Sequence, residues 1–118
     1  MLDQIKQINR INLLYDIYTP LLTARQQETL KLYFSDDYSL GEIAADYHIS
    51  RQAVYDLIQR ALASLEKLED KLGLYKLFNE QQKLLTEADS LLAKNVLVER
   101  DLQRLKKIVA ALRSNSEQ

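Results

Sequence analysis

Arg51, Gln52, Tyr55, Asp56 and Gln59 lie on one side of a stretch whose other side repeats Val54, Leu57, Ile58, Ala61, Leu62 and Leu65 at helical period. The polar side offers a guanidinium, two amides and a phenol within about two turns of helix, which is hydrogen-bonding and stacking chemistry rather than bond-making chemistry. Arg51 suits a guanine edge or a phosphate, or else a surface ion pair with Asp46 or Asp56. Tyr55 suits stacking on a base or a partner side chain, or packing along its own helix. Ser39 and Ser50 are placed to cap helices and, through the amides beside them, to meet phosphate. Arg25 and Arg60 are candidate backbone contacts of low specificity. No catalytic constellation accompanies them. There is no glycine-rich phosphate loop, the carboxylates are spread over helix surfaces, and Asp36-Asp37 has the chemistry of a turn. With His48 the single histidine and no cysteine, the sequence carries no metal site, no cofactor site and no disulfide.

The elements that must hold these residues are short helices. Ser39 followed by Glu42 has capping-box spacing, so a helix starts there and presents Ile43 and Tyr47, with Ala44 small enough to admit a neighbour. A turn of about three residues follows, and Ser50 caps a second helix. His48 stands in that turn, where a left-handed backbone is convenient and histidine is tolerated better than a branched residue. A short helix, a tight turn and a second helix with a polar leading edge is the geometry that enters a DNA major groove.

Upstream, a helix is expected from about Leu2 to Ile17, with Ile5, Ile8, Ile11, Leu14 or Tyr15, and Tyr18 inward; Thr19-Pro20 ends it. Thr23 caps a helix to Phe34 that buries Leu30, Tyr33 and Phe34. The motif's second helix is long, because its apolar stripe continues to Leu72, and Gly73 is its stop.

From Leu74 the pattern changes. Leu77, Leu84, Leu91, Val98, Leu105 and Leu112 recur every seven residues, and such a face cannot stay in water on a lone helix. A helix of about five turns, a break near Lys94-Asn95 and a final helix to about Arg113 follow, with Ser114 to Gln118 fraying. The series either folds back on the first part or pairs with a second chain; homodimerisation through these six residues is the preferred reading. The basic residues of the final helix, among them Arg100, Arg104, Lys106, Lys107 and Arg113, alternate with acids as on the wet side of a paired helix. The fold class is therefore all-α: a helix-turn-helix domain over residues 1–73 and a C-terminal helical oligomerisation arm over 74–118.

Composition sets the outer limits. The chain has 118 residues, 47% of them apolar, with only two glycines and one proline, which favours helix and excludes a disordered chain. No apolar run has the length of a membrane span and the start lacks a signal-peptide core, so a cytoplasmic protein without membrane insertion is expected. Sixteen basic and seventeen acidic residues give a net charge of −1. Residues 1–72 hold 8 basic and 11 acidic side chains, and 73–118 hold 8 and 6. Phosphate neutralisation supplies most non-specific DNA affinity, so an acidic helix-turn-helix half implies weak, salt-sensitive duplex binding.

Leu21-Leu-Thr-Ala-Arg-Gln26, Leu30-Lys-Leu-Tyr-Phe34 and the motif itself resemble the promoter-reading fourth region of bacterial sigma factors. With Asp36 to Ala44 and Ile49 to Asp56 added, the pattern is similar to that of small YlxM-like bacterial proteins, over roughly residues 10–75. That resemblance implies a non-enzymatic DNA-binding regulator. The genes of such proteins tend to lie beside those of the signal recognition particle GTPases, which implies a link to that pathway. Ala53 and Tyr55 stand where sigma-like relatives are basic, and Asp56 repels phosphate. The alternative is an adaptor that kept the scaffold and binds the particle's GTPase or RNA, with little duplex affinity.

Overall fold

Six α-helices follow one another in a computed structural model that describes residues 2–116: α1 (Leu2–Tyr18), α2 (Ala24–Leu30), α3 (Leu40–Tyr47), α4 (Arg51–Leu72), α5 (Leu74–Leu92) and α6 (Glu99–Ser116). The protein is all-α, with no strand among the described residues. The chain divides into two compact units, Met1–Gly73 and Leu74–Gln118.

Local chemistry explains each boundary in the first unit. Pro20 sits in a 3₁₀ turn over Thr19–Leu21 that ends α1. The Thr23 hydroxyl accepts from the Gln26 amide at 3.1 Å while the Gln26 side chain accepts from the Thr23 amide at 3.0 Å, a complete capping box. After Leu30 the helix widens into a π turn over Lys31–Ser35, and Asp37 adopts a left-handed φ of 57°. Gly73 closes α4 with φ 64°, where only glycine is free of strain.

Leu14, Tyr18, Leu22, Leu30, Ile43, Ala44, Val54, Ile58, Ala61 and Leu65 form the core of this unit. The long α4 is its spine, with α1, α2 and α3 each packed against it. Polar groups inside are satisfied. The buried Thr29 hydroxyl donates to the Arg25 carbonyl at 2.7 Å and lies 3.2 Å from the Tyr47 hydroxyl. Arg10 grips Glu66 with two nitrogens, at 3.2 and 2.7 Å, tying α1 to α4 from outside.

Two inward assignments are corrected. Ile5 and Ile8 are 51% and 49% exposed, because the packed part of α1 is its second half, around Leu14 and Tyr18. Tyr33 is exposed and Phe34 half-buried, because the π turn changes the residue-to-residue rotation after Leu30. Their rings instead meet edge to face at 5.0 Å.

The second unit is a helical hairpin. Arg104 pairs with Glu87 through two nitrogens, one at 2.7 Å, and Lys94 reaches Asp101 at 2.8 Å, so α5 and α6 run antiparallel. The break falls at residues 93–98, with Asn95 inside it. The frayed end expected from Ser114 is not observed through Ser116, where α6 continues; residues 117 and 118 lie outside the described part. Ile108 is the one fully buried apolar residue of the unit among those described. Leu77, Leu84, Leu91, Leu105 and Leu112 are half-buried, whereas Val98 is exposed. A second apolar stripe, Leu74, Phe78, Leu85 and Leu92 on α5 with Leu102 and Val109 on α6, is also exposed. On each helix that stripe is turned about 80° from the half-buried one, in the same sense. In an antiparallel pair, equal turns of one sense point to the same side, so the hairpin has one apolar face.

Candidate nucleic-acid interface

Helices α3 and α4 are built from their caps inward. The Ser39 hydroxyl accepts from the Glu42 amide at 3.0 Å, and Glu42 accepts from the Ser39 amide at 3.2 Å. Each such cap is worth about 1 kcal/mol, and both oxygens are thereby committed to the fold. The Ser50 hydroxyl accepts from the Ala53 amide at 3.0 Å, starting α4. Between them His48 takes φ 56° and ψ 43°, the left-handed residue that turns the chain, and its amide donates back to Ala44 and Ala45. Ile43 and Ala44 from α3 and Val54 and Ile58 from α4 are buried, so the two helices share one core and hold a fixed angle.

That packing turns the leading face of α4 outward. Gln52, Tyr55, Asp56 and Gln59 span an arc of about 100° on the helix wheel and are all exposed. They are not equally available. The Gln52 amide donates to Asp56 Oδ1 at 3.1 Å, one turn along, so this acid is partly masked by a neighbour of the same face. Arg51 makes no hydrogen bond or ion pair within the protein, among the described residues, with Asp46, Asp56 or any other group. A guanidinium with unclaimed donors at the leading edge of α4 can bind an anion without first breaking a protein contact.

Arg25 and Arg60 come together elsewhere. They border an open depression with Ile49, Ala53, Asp56 and Leu57, beside the face that holds Gln52 and Gln59. The Arg25 guanidinium carbon lies 3.9 Å from the centre of the Tyr47 ring, a cation–π contact that fixes the side chain between α2 and α3. Helical spacing groups Tyr47 with Ile43 on one face of α3, but no local pattern specifies that Arg25 of α2 meets its ring. Gly41 was also passed over. A glycine inside the first turn of a helix signals close approach by another group.

Two capped helices around a left-handed residue, with a polar face projecting from the second, define a helix-turn-helix protein. The sequence matches the UPF0122 family, described as "Putative helix-turn-helix protein, YlxM / p13 like", over residues 5–108, and the chain belongs to that family. It is 44% identical over 107 residues to a UPF0122 protein of Listeria monocytogenes, an alignment spanning 87% of this chain and 97% of the relative. A Bacillus licheniformis relative is 51% identical over 80 residues, or 68% of this chain and 75% of its own. One from Bacillus pumilus is 47% identical over 95 residues, or 80% and 86%. Among the described residues no helix is long and apolar enough to cross a membrane.

Proposed function

We propose that the protein is a cytoplasmic, non-enzymatic regulator that binds duplex DNA weakly through the leading face of α4. The observation that carries the reading is Arg51, uncommitted at the first turn of a capped and rigidly packed recognition helix. Arg51, Gln52, Tyr55 and Gln59 would meet the groove, while Ser39, Ser50, Arg25 and Arg60 flank it towards the backbone. Weakness follows from charge. A net −3 over residues 1–72 and an acid on the reading face leave few phosphates neutralised.

Homodimerisation through residues 74–116 is part of the same reading. A hairpin with a single fully buried apolar residue has too thin a core to stand alone, and it keeps an apolar face exposed. A second copy laid against that face would make a four-helix layer and bring two copies of α4 into one particle. The half-buried series Leu77, Leu84, Leu91, Leu105 and Leu112 supports that layer from within, and Val98 belongs to the exposed side.

The Gln52–Asp56 pairing and the acidic first unit weaken the case for duplex binding, and the alternative is an adaptor with little duplex affinity that binds the signal recognition particle's GTPase or RNA. Salt-titrated binding to duplex DNA, to the particle's RNA and to its GTPase separates the two. Duplex binding that weakens steeply with salt supports the regulator. GTPase or RNA binding with no duplex affinity at low salt supports the adaptor.

A further inference from the structure

Gly41 occupies the second position of α3, where alanine would be the better helix former, and its φ does not require glycine. Beside it lies the side chain of Arg51. A Cβ added at Gly41 would lie 3.1 Å from Arg51 Nε and 3.3 Å from Nη2, tighter than most side-chain contacts, and in ordinary contact with Cζ at 3.4 Å, so the guanidinium would have to shift by a few tenths of an ångström. The guanidinium therefore rests along the bare backbone of the first turn of α3, rather than extending from the tip of α4.

That placement bears on what Arg51 contacts. In helix-turn-helix docking the first helix crosses the phosphate backbone while the leading residues of the second reach base edges. A guanidinium laid back on the first helix lies on the backbone side. We propose that Gly41 is a positioning residue which seats Arg51 at the edge of the groove as a phosphate clamp, leaving base edges to Gln52, Tyr55 and Gln59. This rests on the duplex-binding reading. Seating the fork in advance lowers the ordering cost of closing it on a phosphate.

The test uses the full chain, two duplexes of unrelated sequence and a salt titration, read by fluorescence anisotropy. Arg51→Ala should weaken both duplexes by the same factor, on the order of 3–10-fold, and reduce the slope of log K against log salt by about 0.9. Gly41→Leu should reproduce most of that loss and add little to it in the double variant. Gly41→Ala should lose less while melting higher, since alanine favours the helix; a purely structural role would tie affinity to melting temperature. A loss confined to one duplex overturns the clamp in favour of base reading, and full additivity of the two sites overturns the role of Gly41. Nitrogen-15 relaxation of Arg51 Nε tests the seat without any ligand. It should be ordered in the wild type and mobile in Gly41→Leu, and a mobile Nε in the wild type overturns the seat alone. A wild type that binds neither duplex at low salt overturns the duplex-binding reading and the clamp with it, whatever the relaxation shows.

Discussion

The Tyr18 hydroxyl donates to Glu69 Oε1 at 2.6 Å across the buried contact between α1 and α4. These residues are 51 positions apart, and their bond anchors the end of α1 to the last part of α4. Hydrogen bonds to charged groups contribute about 1.5–3 kcal/mol, so Tyr18→Phe should destabilise the protein by about that amount. Glu69→Gln, which keeps an acceptor, should cost less. Urea unfolding of the two variants checks the order.

Two left-handed positions make opposite predictions. His48 holds φ 56° with a side chain that disfavours it, so His48→Gly should stabilise by about 0.5–1 kcal/mol. Gly73 holds φ 64°, and Gly73→Ala should destabilise by about 1 kcal/mol or more. The denaturation midpoint should move up in the first and down in the second, with unchanged slope.

Acid should loosen the helical hairpin at Asp101. The Lys94 ammonium bonded to its carboxyl, and then the Val98 amide donating at 3.2 Å, hold its pKa below the ordinary aspartate value. A lowered folded pKa gives stability that is complete above the unfolded value, about 3.9, and is lost as pH falls through the folded one. The Val98 amide resonance should therefore titrate below pH 4. Asp101→Asn should abolish that titration and weaken the start of α6 at neutral pH. The Glu87 carboxyl is likewise held below its ordinary value, mainly by its bond from Arg104.

Much of this architecture was legible because it is local. Ser39 with Glu42, Thr23, Pro20 and Gly73 mark helix ends by chemistry confined to a few residues, and His48 falls in the short turn before the Ser50 cap, where a left-handed residue is convenient. What escaped depends on which neighbour arrives. Nothing in the spacing of Ile5 and Ile8 says that the first half of α1 is left uncovered. Tyr33 sits within a π turn that no periodicity encodes. Gly41 and Arg51 sit ten positions apart on different helices, so their contact exists only once the turn between them is built.

The hairpin's two stripes give a sharp contrast. Phe78→Glu and Leu102→Glu alter exposed positions and should yield soluble, helical monomers by sedimentation equilibrium. Leu84→Glu, at a half-buried position, should instead cost helix content by circular dichroism. A wild type that sediments as a monomer at tens of micromolar overturns the dimer.

The surface assigned to nucleic acid is tested most directly by titrating a duplex into the nitrogen-15-labelled protein at low salt and following every backbone amide. The account predicts shifts clustered at residues 39–42 and 50–60, with Arg51 and Gln52 among the largest, fading as salt is raised. Shifts confined to residues 74–116, or none at all, would contradict it.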